Sequence, residues 1–482
     1  MNALPLWTIE AMTSAMRARR QDALPDIVRG LSIDSRSIGP GEAFFAIKGD
    51  SRDGHEFVRA ALDAGAALAV VAAGKRDQFP KDAPLLIVHD VLEALRELAR
   101  AARARSSATV IGITGSVGKT GTKEALRLAL ASEGETHASV ASYNNQWGVP
   151  LSLARCPETA KFAIFEMGMN HPGEIEPLAR LVRPHLAIVT AVEPVHLEFF
   201  PSVEAIADAK SEMFFGLEPG GAAVLNSDNP HYARLRRHAK AAGVGRIVSF
   251  GADAKAEARL LKYSLHPDCS TAHASILGVE VTYKLGAPGY HLVINSLAVL
   301  AAVALAGGDL ALAALALAEL KPATGRGARI TLGLPGGATA LLIDESYNAN
   351  PASMRAALAV LGKAEPGPRG RRIAVLGDML ELGAEGPAQH RELADAVLAN
   401  SVDLVFCSGP LMHELWQALP SERRGGYAET AATLESSVLA VVRPGDAMMV
   451  KGSLGSRMGP LVKALERHYP CRVALEQAPA QG

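Results

Sequence analysis

The stretch from Thr109 to Glu124 limits what this chain can fold into more than any other part of the sequence. It reads TVIGITGSVGKTGTKE. Its β-branched start predicts a buried strand over 110–114, a glycine-rich turn follows, and the composition over 123–131 predicts a helix. This order of strand, loop and helix is the context that a phosphate-binding loop requires. The stretch therefore indicates an enzyme that uses a nucleoside triphosphate.

Each part of this loop has a chemical use. Backbone N–H groups at the glycines can approach phosphate oxygens, and the N-terminus of the helix adds partial positive charge. We expect Lys119 to neutralise the β- and γ-phosphates and the Thr120 hydroxyl to bind Mg²⁺. The usual spacing of such loops puts glycine at 113, where this chain has Ile113. A Gly-Lys-Thr turn that arose by chance is the alternative, and the flanking strand and helix argue against it.

Composition limits the partners and the compartment. The 49 basic residues balance the 50 acidic ones, so no overall field favours nucleic acid or an anionic membrane. The 4 cysteines lie far apart without Cys-x-x-Cys spacing, which predicts neither zinc nor disulfides and favours a reducing cytoplasm. The N-terminus lacks the pattern of a signal peptide. The apolar region 297–320 is broken at 307–309, which predicts two packed helices and no membrane insertion.

The length and the order of the elements predict three α/β domains. Residues 1–106 alternate short apolar runs with turns and end in a helix over 91–103, which predicts a small α/β domain. Residues 107–322 carry the phosphate loop and further buried strands, each followed by a helix, as in a parallel doubly wound sheet. Residues 323–482 repeat the strand, loop and helix order, which predicts a second, Rossmann-like domain that closes over a substrate.

Two further residues are predicted near the phosphate loop. Glu166 follows the strand 162–165 and His196 comes soon after the strand 186–190. In a parallel sheet, ligands collect at the carboxyl ends of the strands, and a carboxylate there suits Mg²⁺. Taken alone, however, Glu166 could equally be a solvated strand-end carboxylate, and His196 is more typical of a structural or surface histidine.

Several other candidate residues have an ordinary structural explanation when each is considered alone. Lys210 reads as a surface lysine on a helix, and Asn295 reads as a helix cap. Asn350 followed by proline predicts an N-cap. The polar clusters 34–36 and 48–55 are either turns and caps or a loop that holds a nucleotide's phosphates, and the residues alone leave both readings open.

Together these motifs resemble the Mur ligase family over nearly the whole chain. The family's phosphate loop is Thr-Gly-x-x-Gly-Lys-Thr, which residues 114–120 match, so Ile113 is no departure. Leu292 stands where the family often has Asn, which affects details of nucleotide packing, and Glu345 stands where it has Asp, which keeps the charge. The other matching positions are Asn144 and Asn145 before 148–150, Glu166, His196, Lys210, His291 with Asn295, Gly325 with Arg326, and the runs 344–351, 376–383 and 451–453.

The resemblance implies a fold and an activity. The fold is the three-domain Mur ligase architecture, with a small N-terminal α/β domain, a central phosphate-loop ATPase domain with a parallel sheet, and a Rossmann-like C-terminal domain. The activity is ATP-dependent amide formation, in which a carboxylate takes the γ-phosphate to give an acyl-phosphate and ADP, and an amine then displaces the phosphate. The runs 344–351, 376–383 and 451–453 are most similar to the branch of the family that adds D-alanyl-D-alanine to UDP-N-acetylmuramoyl-tripeptide in cytoplasmic peptidoglycan precursor synthesis.

The resemblance also implies roles for individual residues. Thr120 and Glu166 would bind one Mg²⁺, while His196 and a carbamylated Lys210 would serve a second. Lys119, Glu166, His196 and Lys210 would be catalytic. The nucleotide-binding positions would be Gly112, Thr114, Gly115, Ser116, Val117, Gly118, Lys119, Thr120, Asn144, Asn145, Asn295, Arg326 and Asp344. The uridine diphosphate would be held by Ile33, Ser35, Gly49, Asp50 and Ser51, and the dipeptide would lie near Tyr347, Asn348 and Asp378.

Three alternatives remain at this point. A sister ligase that adds diaminopimelate or lysine, or a folylpolyglutamate synthetase, would share the central domain. The Asp-Ser-Arg sequence at 34–36 argues against the folate enzyme, and the run 376–383 favours the dipeptide ligase over its sisters. A phosphate-loop switch protein would hydrolyse the nucleotide without an amine, and it gives no role to His196 or Lys210. We expect a monomer by default.

Overall fold

The computed structural model describes residues 5–21, 24–49, 52–140, 142–195 and 197–471. Within these residues the strands form one two-stranded pair and three larger sheets of 5, 9 and 6 strands, which follow one another along the chain. The domain limits at 106/107 and 322/323 stay a prediction.

The N-terminal region is a small α/β unit. Its helices are Ile9–Met16, Val58–Asp63 and Val91–Arg105. The last of these confirms the helix predicted over 91–103, and Asp90 caps it by accepting a 2.7 Å hydrogen bond from the Glu93 amide. Trp7–Thr8 pairs with Ile27–Val28, and the five-stranded sheet has the order Arg19–Arg20, Leu85–Val88, Leu68–Ala72, Glu42–Phe45 and Gly30–Ser32.

The central sheet has nine strands among the described residues and is not wholly parallel. Its last two strands, Ser270–Ile276 and Val279–Leu285, are antiparallel, whereas the sequence predicted a parallel sheet. A two-residue turn joins them, with positive φ at Leu277 and Gly278, and this is the turn geometry that favours a hairpin. The sheet order is Val279–Leu285, Ser270–Ile276, Ala258–Leu265, Arg246–Gly251, Ala222–Asn226, Leu186–Val189, Thr109–Thr114, Phe162–Glu166 and Thr136–Ala138.

Helices cover this sheet on both sides. The predicted break at 307–309 is confirmed, because Asp309 caps the second helix by accepting hydrogen bonds from Ala311 (2.7 Å) and Leu312 (3.0 Å). No helix in the described part of the chain is both long and apolar enough to cross a membrane. The helices are Lys119–Leu130, Gly148–Ala154, Ile175–Val182, Val203–Ser211, Tyr232–Ala241, Tyr290–Leu305 and Leu310–Ala316.

The C-terminal sheet is parallel except for its first pair. The Asn350 cap is confirmed, because its side chain accepts from the Ser353 amide and Pro351 opens the helix. The strand order is Ala328–Gly333, Thr339–Glu345, Ala447–Lys451, Arg372–Gly377, Leu404–Ser408 and Arg424–Ala428. The helices are Pro351–Lys363, Gly386–Arg391, Leu393–Ala399, Met412–Ala418, Ala431–Val441 and Met458–His468.

The two junctions between these regions differ. One cluster of buried apolar side chains runs from the N-terminal region into the central one and includes Trp7, Leu98 and Ala154. Across the same junction, Arg155 Nε donates to the Leu31 carbonyl at 2.7 Å. Among the described residues, the buried apolar clusters of the C-terminal region contain no central residue. The C-terminal region therefore has a core of its own, as expected for a separate domain.

Candidate active site

The phosphate loop follows directly from the strand Thr109–Thr114. Its helix begins at Lys119, four positions before the predicted 123, because Gly118 adopts a positive φ of 85° and turns the chain into the helix. A Cβ at Gly118 would lie 2.5 Å from the Asn295 side-chain nitrogen. A side chain here would strain the backbone and displace the amide of Asn295, which reaches the loop from within the helix Tyr290–Leu305. The prediction that Asn295 caps a helix is wrong, since Gly289 precedes that helix.

The Lys119 ammonium folds back over this loop. Its Nζ donates a 2.6 Å hydrogen bond to the Gly115 carbonyl. Removal from water lowers the pKa of Lys119, the charge of Glu166 opposes this effect, and the charge of Arg326 adds to it. A neutral carbonyl compensates a desolvated cation only in part, so an anion in the loop would be attracted strongly.

A carboxylate and a hydroxyl meet beside the loop. Glu166 is the last residue of its strand and is 1% exposed. Its Oε2 accepts from the Thr120 hydroxyl at 2.9 Å, and its Oε1 accepts from the Asn144 amide at 2.8 Å. Ser142 Oγ lies 3.2 Å from the Thr120 hydroxyl. Hard oxygen donors of this kind fit Mg²⁺, so the structure brings together three of the residues that the sequence predicted.

Larger metal-binding clusters are absent from the described residues. Among them, no group of three or more His, Cys, Asp or Glu side chains is placed to hold a metal ion. Mg²⁺ that is bound together with a nucleotide needs only one or two carboxylates, because phosphates and water complete its coordination. The lack of a larger cluster among the described residues is therefore compatible with Mg²⁺ at Thr120 and Glu166.

Lys210 is buried, so its reading as a surface lysine is wrong. Its helix, Val203–Ser211, packs this face inwards and leaves the side chain 2% exposed. Burial moves the pKa of Lys210 well below its usual value, and the like charge of Lys119 adds to this. In the part of the chain that the structure describes, its amine has no hydrogen-bond partner. His196, the other predicted residue here, lies outside the described residues.

The C-terminal region adds a cation to the site. Arg326 Nη2 donates to Ser142 Oγ at 3.2 Å, and its guanidinium lies 4.4 Å from the centre of the Tyr347 ring. Asp344 is 3% exposed and accepts from the Gly325 amide at 2.9 Å and the Ser346 amide at 3.0 Å. Arg326 is thereby directed at the phosphate side, and Asp344 fixes the segment that carries it.

The predicted uridine diphosphate residues lie in the N-terminal region. Ile33, Ser35 and Gly49 are half-buried, whereas Asp50 and Ser51 lie outside the described residues. A Cβ at Gly49 would be 3.3 Å from Cη2 of Trp147. The loop that contains Gly49 therefore packs against the central segment that also carries Asn144 and Asn145.

A cavity of about 110 Å³ separates the central and C-terminal regions. Ser116 of the phosphate loop and Val195 form one wall. Asn348 lies in the opposite wall, whereas Asp378 is not one of the described residues that line the cavity and accepts a 2.8 Å hydrogen bond from the Met412 amide. All of the C-terminal lining residues except Leu454 and Gly455 fall in the runs 344–351, 376–383 and 451–453, although sequence reasoning assigned only Asn348 among them to the dipeptide. The C-terminal lining residues are Asn348, Ala349, Asn350, Leu380, Glu381, Leu382, Ser453, Leu454 and Gly455.

The fold and this site define a three-domain phosphate-loop protein, and comparison with known families identifies which kind. Residues 27–103 match the model "Mur ligase family, catalytic domain", residues 113–303 match "Mur ligase middle domain", and residues 334–454 match "Mur ligase, glutamate ligase domain". The chain belongs to the Mur ligase family. The family resemblance and the three-domain architecture are thus confirmed.

Individual relatives are similar over most of the chain. The UDP-N-acetylmuramoyl-tripeptide–D-alanyl-D-alanine ligase of Escherichia coli is 34% identical over 96% of this chain and 99% of its own length. The ligase of the same name from Rickettsia prowazekii is 31% identical over 90% and 94%. A crystal structure of MurF from Acinetobacter baumannii has a TM-score of 0.81 at 28% identity, covering 97% of this chain and 100% of that one. MurF from Thermotoga maritima in complex with ADP has a TM-score of 0.72 at 26% identity, covering 92% and 98%.

Proposed function

We propose that this chain is an ATP-dependent amide ligase that joins D-alanyl-D-alanine to UDP-N-acetylmuramoyl-tripeptide, releasing ADP and phosphate. The observation that carries the proposal is the cavity between the regions, which has the phosphate-loop residue Ser116 on one wall and polar C-terminal loops on the other. A phosphate donor and an amine acceptor can meet there. The names of the relatives supply the identity of the two substrates.

The reaction needs positioning and charge neutralisation more than it needs a strong nucleophile. A carboxylate oxygen of the tripeptide attacks the γ-phosphorus, and the bond from that phosphorus to the bridging oxygen of ADP breaks. The amine of the dipeptide then attacks the acyl carbon, loses a proton, and inorganic phosphate leaves. Because ATP and the carboxylate are both anions, Lys119 and Arg326 lower the cost of bringing them together.

Two metal positions are part of the proposal. Thr120 and Glu166 would hold one Mg²⁺, and His196 with Lys210 would serve a second. Bound Mg²⁺ neutralises phosphate charge. The low pKa of Lys210 supports its carbamylation, because a neutral amine reacts with CO₂ to form a N–C bond, releases a proton and becomes an anionic oxygen ligand.

The remaining roles are proposed from position. Around the nucleotide we assign the backbone of 112–118 together with Asn144, Asn145, Asn295, Arg326 and Asp344. Ile33, Ser35 and Gly49, with Asp50 and Ser51, are assigned to the uridine diphosphate. Asn348 is assigned to the dipeptide, with Tyr347 and Asp378 beside or behind it. Domain limits of 1–106, 107–322 and 323–482, a monomeric state and a cytoplasmic location complete the proposal.

The decisive experiment measures phosphate release from ATP with Mg²⁺ and bicarbonate. UDP-N-acetylmuramoyl-tripeptide and D-alanyl-D-alanine are added singly and together. We expect release only with both, and a product heavier than the tripeptide substrate by the dipeptide residue. Release with neither substrate would support a nucleotide switch. Release that is stimulated by diaminopimelate or lysine, and not by the dipeptide, would support a sister ligase.

A further inference from the structure

The loop of residues 378–383, here called the cleft loop, faces both the cavity and the central region. Leu380 and Leu382 line the cavity, and Leu380 is 41% exposed. The Glu381 carbonyl accepts a 3.4 Å hydrogen bond from the Glu198 amide of the central region. The cleft loop thus supplies part of the proposed acceptor pocket and is also a contact between the two regions.

The beginning of the cleft loop is held by three separate elements. The Asp378 amide donates to the Ser408 carbonyl at 3.2 Å, the Met379 amide to His390 Nε2 at 2.9 Å, and the Leu380 amide to Ser453 Oγ at 3.0 Å. Three successive amides are therefore used to fix the position of the loop.

The far end of the cleft loop needs such support. Glu381 and Gly383 both have positive φ, of 64° and 56°. Glycine adopts this conformation freely, whereas Glu381, which has a side chain, is disfavoured in it and keeps it only when its surroundings hold it there. The anchors at 378–380 provide that constraint.

His390 is the anchor that sequence reasoning left without a role. It is 0% exposed, and its Nδ1 lies 2.6 Å from the Gly386 carbonyl. A carbonyl can only accept, so Nδ1 carries the proton and Nε2 is free to accept from the Met379 amide. Both ring nitrogens are satisfied by the backbone of the segment 379–386. Burial lowers the pKa of His390, which favours this neutral form.

We infer that His390 is a positioning residue for the acceptor dipeptide, because through the Met379 amide it holds the cavity-lining side chains of the cleft loop in place. This inference rests on the proposed function. Both hydrogen bonds of its ring are made to the segment 379–386, so its effect should fall on the dipeptide. Loss of one buried hydrogen bond is expected to raise the dipeptide KM by about tenfold.

The test compares three variants of the full chain. His390→Leu removes the acceptor, whereas His390→Gln keeps an oxygen that can accept from the Met379 amide. Val438→Ala is the control, because Val438 is 0% exposed and lies in a different apolar cluster of the same region. For each variant, kcat, the KM of each of the three substrates and the thermal unfolding midpoint are measured.

We expect His390→Leu to raise the dipeptide KM by about tenfold, with the KM values of ATP and the uridine substrate within about twofold of the native ones. His390→Gln should recover most of this loss, and Val438→Ala should lower the midpoint without changing any KM.

An unchanged dipeptide KM in His390→Leu, or an equal rise in all three KM values, would overturn the inference. Should His390→Leu not fold, the same criteria apply to His390→Asn, which is too short to reach the Met379 amide. If the native chain does not consume the dipeptide at all, the proposed function fails first.

Discussion

The phosphate loop, residues 114–120, and the cleft loop each leave the carboxyl end of a parallel strand, in two different sheets. The cleft loop uses three successive amides for hydrogen bonds of 2.9 to 3.2 Å to the rest of the protein. The phosphate loop leads at Gly118 into a helix whose first amides have no partner within the helix. The Ser116 amide of the phosphate loop donates to the Ala191 carbonyl at 2.8 Å, so it is the amides at the start of the helix that remain for an anion, whereas the cleft loop uses three successive amides to fix its own position.

The charged side chains of the two loops differ in the same way as their amides: Lys119 is available to a ligand, whereas Asp378 already takes part in a hydrogen bond within the protein. The Lys119 ammonium donates to a neutral carbonyl, and removal from water lowers its pKa. Asp378 is also buried, which raises its pKa, but its carboxylate already accepts from the Met412 amide. A ligand should therefore interact with the charge of Lys119 directly, whereas Asp378 should act on the pocket through the protein.

The largest expected effect is that of Lys119→Ala. Removing the cation that faces the transferred phosphate should lower kcat by about 10³-fold, in the range for a lost electrostatic stabiliser. Phosphate release measures this, with Lys161→Ala as the control, since the Lys161 side chain is 56% exposed. A Lys119→Ala enzyme that kept a tenth of the native rate would contradict the use of this loop as an anion site.

Lys210→Ala is expected to come next, with kcat lowered by about 10²-fold. If carbamylation turns Lys210 into an anionic ligand, short carboxylic acids should restore part of the activity of this variant. Lys210→Arg keeps the positive charge but cannot form the carbamate, so it should be as inactive as the alanine variant. Full activity of Lys210→Arg would exclude the carbamate role.

Alanine variants of Gly118 and Gly383 test directly whether the phosphate loop and the cleft loop have different roles. A Cβ at Gly118 would meet the Asn295 side chain at 2.5 Å, whereas one at Gly383 would have its nearest neighbour at 3.5 Å. Gly118→Ala should therefore lower kcat/KM for ATP by about 30-fold. Gly383→Ala should leave ATP kinetics within about twofold and cost about 1 kcal/mol of unfolding free energy. Equal effects on ATP kinetics would remove the distinction between the loops.

The sequence predicted the phosphate loop well because its signals are local. Residues 114–120 are contiguous, and the strand before them and the helix after them are read from neighbouring residues. The predicted partner Glu166 followed from the general rule that strand ends meet at one edge of a parallel sheet. Its hydrogen bonds to Thr120 and Asn144 agree with that rule.

The cleft loop could not be predicted in the same way because its anchors are distant. Ser408, His390 and Ser453 are common residue types, and both serines reach the loop only after the three strands Ala447–Lys451, Arg372–Gly377 and Leu404–Ser408 have paired. Lys210 shows the same limit, since its burial depends on how its helix packs. The antiparallel strands at the central edge were missed because a two-residue turn, at Leu277 and Gly278, decides their direction.

The smallest expected effect is that of Asp378→Asn. Burial raises the pKa of Asp378 in the folded chain, so the stability from this group is complete below the unfolded pKa and is lost as the pH rises through the folded pKa. Asparagine does not titrate and keeps an oxygen for the Met412 amide. The variant should therefore gain stability over the native chain as the pH rises from 4 to 7, by less than about 1 kcal/mol.

The kinetics of Asp378→Asn distinguish two possible roles of this carboxylate, which are support of the cavity wall and a direct ion pair with the dipeptide. If Asp378 lies behind the cavity wall, as its hydrogen bond to the Met412 amide suggests, the dipeptide KM should change by less than about threefold, since that hydrogen bond is preserved. A direct ion pair with the dipeptide's ammonium group, in its protonated state before attack, would instead make the KM rise tenfold or more, because a buried charge would lose its partner. That outcome would make the cleft loop a ligand-binding loop like the phosphate loop, and the difference between them would then lie in the sign of the charge that each one holds.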